Sequence, residues 1–174
     1  MTSASHKTGT DRCAELVEKF YSGFDAAVNI QGDEPFIHPE QIDELANCFE
    51  NQEVNLATLI KKIDSSEDIF NHNRIKVVVD KNMNALFFSR SPIPFHRDKN
   101  IPAVYYEHIG VYAFRKQALL NFTAWAITPL EAAEKIECLR YLENGVPLKM
   151  VATKYMGIEI DTPEDLIRAA SLLK

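Results

Sequence analysis

Cysteine and positive charge are both in short supply in this sequence of 174 residues. The three cysteines, at positions 13, 48 and 138, are odd in number and widely spaced, and no C-x-x-C pair occurs. This pattern argues against a disulfide framework or a zinc site and fits a reducing cytoplasm. Nineteen lysines and arginines stand against 25 acidic residues, for a net charge of −6. A chain so poor in basic residues lacks the footprint of a nucleic-acid binder, so an anionic ligand needs local positive charge or a metal ion.

Long apolar runs are absent as well. No stretch approaches the roughly 18 residues of a membrane-spanning helix, so no membrane partner is expected. The polar segment Met1–Arg12 lacks the apolar core of a signal peptide. The chain has no internal repeat and no linker rich in proline and glycine. Its length therefore predicts a single domain over residues 1–174.

Hydrophobic periodicity predicts alternating helices and strands. Helices are predicted from Thr10 to Gly23, from Pro39 to Phe49, over 65–70, from Thr128 to Asn144 and from Pro163 onward. Strands are predicted over 26–30, 55–60, 75–79, 85–88, 105–114 and 148–153, the third and fourth as a hairpin. This order favours an α/β fold with a mostly parallel sheet, flanking helices and an inserted β-rich segment. In such sheets, ligands bind at the carboxyl ends of the strands.

Two aspartates each follow a predicted strand or apolar run. Asp33 lies in the polar turn after 26–30, next to Gly32, and Asp161 directly precedes the last helix. Mg²⁺ prefers few carboxylates and leaves positions for water and phosphate, so the two side chains could meet over one ion. The alternative is that Asp33 is a solvated turn residue and that Asp161 only stabilises the start of a helix.

The aromatic strand 105–114 carries a second candidate. Alternation along a strand puts His108, Gly110 and Tyr112 on one face, where they can hydrogen-bond a polyhydroxylated ligand. The alternative is a core strand with one satisfied histidine.

Two charged residues are candidates by their surroundings. Arg90 directly follows a hydrophobic strand and could bind a carboxylate or phosphate as a fork, or could be a surface charge. Glu137 lies in a helix that is apolar on most faces, and so could point into a site. Alternatively, it is exposed and pairs with Arg140, three residues on.

Six short motifs run through nearly the whole chain. They are Met1-Thr2-Ser3…His6…Thr8-Gly9-Thr10-Asp11-Arg12, Asn29-Ile30-Gln31-Gly32-Asp33-Glu34-Pro35, Phe88-Ser89-Arg90…Ile93-Pro94, His108-Ile109-Gly110-Val111-Tyr112, Thr128-Pro129-Leu130-Glu131 and Asp161-Thr162-Pro163-Glu164-Asp165-Leu166. Each is weak alone. Together, and in this order, they resemble the family of 3-deoxy-D-manno-octulosonate (Kdo) cytidylyltransferases, the CMP-Kdo synthetases.

The resemblance implies a nucleotide-diphospho-sugar transferase fold and a Mg²⁺-dependent reaction. CTP and Kdo would give CMP-Kdo and pyrophosphate, for lipopolysaccharide synthesis in a Gram-negative cytoplasm. The resemblance makes Asp33 and Asp161 the catalytic, metal-binding residues. It assigns the sugar pocket to Gln31, Arg90, His108, Tyr112 and Glu137. It places the cytidine beside Ser3, His6, Thr8, Gly9, Thr10 and Arg12. It also implies a homodimer formed by the β-rich segment.

The chain departs from the family pattern in two places. Family members have glutamine after the glutamate that corresponds to Glu137, whereas this chain has Cys138, and a thiol is a poor substitute for an amide. The family also opens with a strand and a loop rich in Arg, Gly, Pro and Lys that wraps the triphosphate, and no segment here matches it. We therefore expect a domain truncated at its N-terminus, with weak or no turnover. Two alternatives remain: a non-catalytic sugar-binding or dimerisation module, and a cytidylyltransferase for another sugar acid, such as a sialic acid.

Overall fold

Six strands form one sheet in the computed structural model, which describes residues 1–6, 8–20, 23–155, 157, 160 and 163–171. The strands are β1 (Ala26–Asn29), β2 (Leu56–Lys62), β3 (Lys76–Val79), β4 (Ala85–Ser89), β5 (Tyr106–Arg115) and β6 (Lys149–Ala152). The helices are α1 (Gly9–Phe20), α2 (Pro39–Asn47), α3 (Ser66–Phe70), α4 (Lys116–Ala124), α5 (Pro129–Glu134), α6 (Cys138–Glu143) and α7 (Pro163–Ser171), with a short 3₁₀ turn over Cys48–Glu50. No helix in the described part of the chain has the length and apolar character to cross a membrane.

The sheet is mixed, with the order β4-β3-β5-β2-β6 and with β1 also paired to β5. Strands β1, β2, β3 and β6 run in one direction, as the alternation of helices and strands predicted. The long strand β5 runs the opposite way between them, so β2–β6 is the one parallel pair among the described strands. The α/β class with flanking helices is therefore confirmed, while the pairing is more antiparallel than expected. The β3–β4 hairpin is also confirmed, but it extends this same sheet through β3 and is not a separate insertion.

Side chains alternate along β2 and separate two hydrophobic cores on opposite faces of the sheet. Leu56 and Ile60 face α1, α4 and α6, in a core that includes Phe88, Phe114 and Leu139. Ala57 and Leu59 face α2, in a smaller core with Leu45 and Val111. Fully burying a leucine or phenylalanine contributes about 1.5–3 kcal/mol, so the two cores fix the helices against both faces.

The helix predicted from Thr128 to Asn144 is two helices, which corrects that expectation. Lys135 has a left-handed backbone (φ 57°) that ends α5 and turns the chain, so that Ile136 and most of α6 are buried. Glu137 consequently stands at the N-cap of α6 and not inside a helix. The predicted glycine stop is confirmed at Gly145, which has a φ of +72° just after α6.

The start of α1 also differs from expectation, because Thr8 and not Thr10 caps the helix. The Thr8 hydroxyl accepts from the Asp11 backbone N–H (3.1 Å), and an Asp11 carboxylate oxygen accepts from the Thr8 N–H (3.2 Å). Thr10 therefore lies one residue inside α1, where it is buried.

Candidate functional site

The middle of β5 has an edge that none of the described strands covers. On that edge β1 pairs with residues 112–115 and β3 with 106–107, so the stretch between them is open to side chains. Gln31, two residues beyond β1, donates from Nε2 to the Gly110 carbonyl at 2.9 Å. A Cβ on Gly110 would lie 3.3 Å from that nitrogen, so glycine gives the amide room to approach. The structure thus brings the predicted residue Gln31 onto the predicted strand segment.

A bulge in β5 shapes the same region. Thr58 on β2 pairs with Tyr112 while Leu59 pairs with Ile109, so two residues of β5 are unmatched. The Thr58 hydroxyl lies 2.8 Å from the Val111 carbonyl oxygen and 3.0 Å from His108 Nε2. The sequence analysis missed Thr58, although a threonine inside an otherwise apolar buried strand was a usable signal.

His108 is neutral, and its tautomer follows from its hydrogen bonds. Burial lowers the pKa of His108 from 6.5 to about 3. The Thr58 hydroxyl has one hydrogen and lies beside the carbonyl oxygens of Ile109 and Val111, which only accept. It therefore donates to a carbonyl and accepts from His108 Nε2–H, which leaves Nδ1 as an acceptor. Among the described residues, no donor reaches Nδ1.

Tyr112 and Cys138 meet beside this histidine. The Cys138 thiol donates to the Tyr112 hydroxyl oxygen at 3.2 Å, and its sulfur lies 3.9 Å from His108 Nε2. Burial raises the pKa of Cys138 to about 12 and raises that of Tyr112 well above its usual value. Both groups are protonated at neutral pH, so Cys138 is a hydrogen-bond donor here and not a thiolate nucleophile.

Glu137 and Thr10 join the first and sixth helices. The Thr10 hydroxyl donates to Glu137 Oε2 at 2.8 Å, and burial raises the pKa of that carboxyl group. Thr10, predicted to contact the nucleotide, and Glu137, predicted to contact the sugar, are thus hydrogen-bonded to each other on the side of the sheet that carries Tyr112. The alternative of an exposed Glu137 is wrong, because its side chain is partly buried and held.

Arg90 is oriented by α5. Its Nε donates to the Glu134 backbone oxygen (2.9 Å), and its backbone N–H donates to the Glu134 carboxylate (3.0 Å). The Ser89 hydroxyl donates to the other oxygen of that carboxylate at 2.7 Å. Sequence reasoning missed Glu134, because nothing local distinguishes it from Glu131, the other glutamate of α5.

A buried ion pair holds α5 and α6 together. Arg140 binds both carboxylate oxygens of Glu131, with 2.7 Å from Nε to Oε2. The guanidinium carbon also lies 3.9 Å from the centre of the Phe122 ring. Because the pair ties the two short helices, it also fixes the positions of Glu134 and Glu137.

Asp33 carries a buried oxygen without a partner. Its Oδ1 is shielded from solvent and has no hydrogen bond to any of the described residues, and its backbone oxygen accepts from the Ile160 N–H at 2.9 Å. Ile160, the residue before Asp161, is therefore hydrogen-bonded to Asp33, although Asp161 itself lies outside the described residues. Within the described part of the chain, no three His, Cys, Asp or Glu side chains form a metal cluster. The meeting of the two aspartates stays a prediction.

The predicted nucleotide residues all surround the start of α1, and several of them bind one another. Arg12 donates from Nη1 to the Thr2 hydroxyl (3.1 Å) and the Ser3 carbonyl (3.2 Å). Glu15 accepts from the Ser3 N–H (2.9 Å) and pairs with His6. These bonds fold the N-terminal segment back on α1, with Gly9 at its first position.

Comparisons with known proteins agree on one family. A family model described as cytidylyltransferase matches residues 1–154. The 3-deoxy-manno-octulosonate cytidylyltransferase of Parabacteroides distasonis is 47% identical over 182 aligned residues, covering 99% of this chain and 72% of that protein. The enzyme of the same description from Flavobacterium johnsoniae is 46% identical, covering 100% and 72%.

Solved structures give the same picture. A CMP:2-keto-3-deoxy-manno-octonic acid synthetase complexed with CTP matches at a TM-score of 0.92 and 34% identity, over 99% of this chain and 70% of that one. A 4-diphosphocytidyl-2C-methyl-D-erythritol synthase from Anaerococcus prevotii matches at 0.59 and 16% identity, over 97% and 68%, and shares the fold alone.

Proposed function

This chain belongs to the cytidylyltransferases, and among them to the 3-deoxy-manno-octulosonate cytidylyltransferases, and on that premise we propose that it couples CTP and Kdo to CMP-Kdo and pyrophosphate. The product would serve lipopolysaccharide synthesis in the cytoplasm, which suits three unpaired cysteines. One observation carries the proposal. Gln31 reaches the Gly110 carbonyl at the open edge of β5, and the neighbouring rings of His108 and Tyr112 flank that glycine in the strand, in a fold that matches a CTP-bound relative over 99% of the chain.

The polar atoms at this edge suit a sugar acid. His108 Nδ1 would accept from a sugar hydroxyl, since its other ring nitrogen is committed to Thr58. Tyr112 accepts from Cys138 and so keeps its own hydrogen for donation. The Arg90 guanidinium would bind the sugar carboxylate as a fork. These contacts would orient the anomeric hydroxyl, whose oxygen attacks the α-phosphorus of CTP while pyrophosphate leaves in line.

A divalent ion fits the residues at the end of β1. We propose Mg²⁺ bound by Asp33 and Asp161, because the buried Asp33 Oδ1, which has no partner within the described part of the chain, is an acceptor that a cation would satisfy. Such an ion would screen the negative charge between the two anionic substrates. The polypeptide itself contributes position, holding Asp33 through the Ile160 N–H.

Turnover with paired variants tests the proposal. Pyrophosphate release should require CTP, Kdo and Mg²⁺ together, and Asp33→Asn should abolish it. Asp43→Asn, at an exposed position of α2, is the matched control and should behave as the wild type. Equal rates for both variants would contradict the metal assignment. Binding of Kdo without any turnover would instead support the sugar-binding module.

We also propose a homodimer built on β4 and the loop after it. The predicted surface loop 91–103 has no regular structure, and it exposes Phe95 (86%) and Ile101 (63%); Leu86 of β4 is also exposed (61%). Strand β4 ends the sheet, so a second copy can cover this apolar edge. Light scattering should give a dimer that Phe95→Glu converts to a monomer, while Ile127→Glu, exposed elsewhere, leaves it intact. A wild-type monomer would contradict the proposal.

A further inference from the structure

Lys76 is a lysine with no exposed surface, in the strand at the centre of the β-rich region. It stands opposite Ser89 of β4 and Glu107 of β5. Its ammonium group donates to two backbone oxygens of the preceding turn, those of Asn71 (2.8 Å) and Arg74 (2.6 Å). The cation therefore holds the turn 71–74 from inside the fold.

The burial of Lys76 disfavours the charged form of its ammonium group. Burial lowers the pKa of Lys76, and the nearby carboxylate of Glu107 only partly offsets that effect. A methionine of similar length would fill the space without burying an ammonium group. Burying a lysine here therefore costs more free energy than burying an apolar side chain of similar length. What the lysine specifically contributes is the orientation of the two carbonyl groups that it binds.

The same turn also binds Arg90. The His72 carbonyl, between the two that Lys76 holds, accepts from Arg90 Nη1 at 3.0 Å. With Nε on the Glu134 carbonyl, this second bond fixes the plane of the guanidinium. Within the described residues, Arg90 Nη2 has no hydrogen bond, so this end of the fork is available to a ligand.

We propose that Lys76 is a positioning residue for Arg90, acting through the turn 71–74 to set the guanidinium for the carboxylate of the sugar acid. The inference rests on the proposed function, which makes Arg90 a sugar ligand. Without the ammonium group, the turn loses two of its three cationic anchors. The His72 carbonyl then no longer holds Nη1 in place, and Arg90 pays a larger ordering cost each time the carboxylate binds.

A double-mutant cycle on Kdo binding tests this coupling. Lys76→Met should raise KM and Kd for Kdo about tenfold, the size expected for one weakened charge-assisted contact. KM for CTP and kcat should stay within about twofold, a split that general loss of structure does not produce. Arg90→Ala should weaken Kdo binding at least as much, and adding Lys76→Met to it should have no further effect. Lys62→Met, an exposed strand lysine, is the matched control.

Each result of this experiment either supports or overturns the inference. An unchanged Kd in Lys76→Met, or effects that multiply in the double variant, overturns the inference while leaving the proposed function standing. A wild-type chain that does not bind Kdo overturns both. Should Lys76→Met fail to fold, Lys76→Leu, which also has no donor for the two carbonyls, goes through the same cycle. A Kd within twofold of the wild type together with unchanged dynamics of the Arg90 Nε–H signal in NMR overturns the inference there as well.

Discussion

The buried imidazole of His108 should make folding stability depend on pH in a defined window. An unfolded histidine titrates near 6.5, whereas burial lowers the pKa of His108 in the folded protein to about 3. Because the folded value is the lower one, the stability from this group is complete above pH 6.5 and is lost as the pH falls towards 3. Between pH 7.5 and pH 5 the loss amounts to about 2 kcal/mol. That figure holds for any folded pKa below about 4, so it does not depend on the depth of the shift.

Other groups titrate in the same range, so the measurement is a comparison. Burial raises the pKa of Glu107 and Glu137, which opposes the histidine by adding stability as the pH falls. His108→Gln keeps an N–H donor for Thr58 and removes the titration of the imidazole. His72→Gln, which changes an exposed side chain, is the matched control. Urea unfolding at pH 7.5 and pH 5 should show the stability of the wild type relative to His108→Gln falling by about 2 kcal/mol. A relative stability that is flat across this range, or a histidine that protonates above pH 5 by NMR, would refute the reasoning.

Two further substitutions probe the support of the site. Glu131→Gln leaves a buried guanidinium without its counter-ion, so urea unfolding should show a loss of about 3–5 kcal/mol, against less than about 0.5 kcal/mol for the exposed Glu18→Gln. A loss below about 1 kcal/mol would mean that the pair is not buried as described. Gly110→Ala places a Cβ 3.3 Å from Gln31 Nε2, so KM for Kdo should rise roughly three- to tenfold in steady-state assays. Gly23→Ala, whose Cβ would meet none of the described side chains or backbone within 4 Å, should leave KM unchanged, and equal values for the two variants would place Gln31 outside the sugar pocket.

Local sequence signals located most elements but not their pairing. The β3–β4 hairpin and the capped starts of α2 and α5 depend on neighbouring residues, and they lie where expected. Helix α4 was not predicted, because no capping side chain marks its start after Arg115. The antiparallel pairing of β5 with β1 joins residues more than 80 positions apart in the chain, as in the pairing of Ala26 with Arg115, and no local pattern encodes such contacts.

The candidate site likewise combines residues that sequence motifs identified with residues that only the fold reveals. Motif resemblance selected Gln31, His108 and Tyr112, and the fold brings them to one region of β5. It did not reveal that Thr58 and Glu134 orient His108 and Arg90, because both act across the fold on side chains more than 40 residues away. Nor did spacing show that Thr10 and Glu137 bind each other, since the bond depends on the left-handed break that separates α5 from α6.

The central claim, that this chain joins a cytidylyl group to Kdo, is tested most directly by ³¹P NMR of the protein with CTP, Kdo and Mg²⁺. Because no segment of this chain matches the triphosphate loop of the family, we expect slow conversion. Over hours, the signals of CTP should give way to those of pyrophosphate and of one phosphodiester, in equal amounts, and only when Kdo is present. A sialic acid in place of Kdo should give much less product. Loss of CTP without a sugar nucleotide, no change at all over the protein-free sample, or preference for the sialic acid would contradict the account.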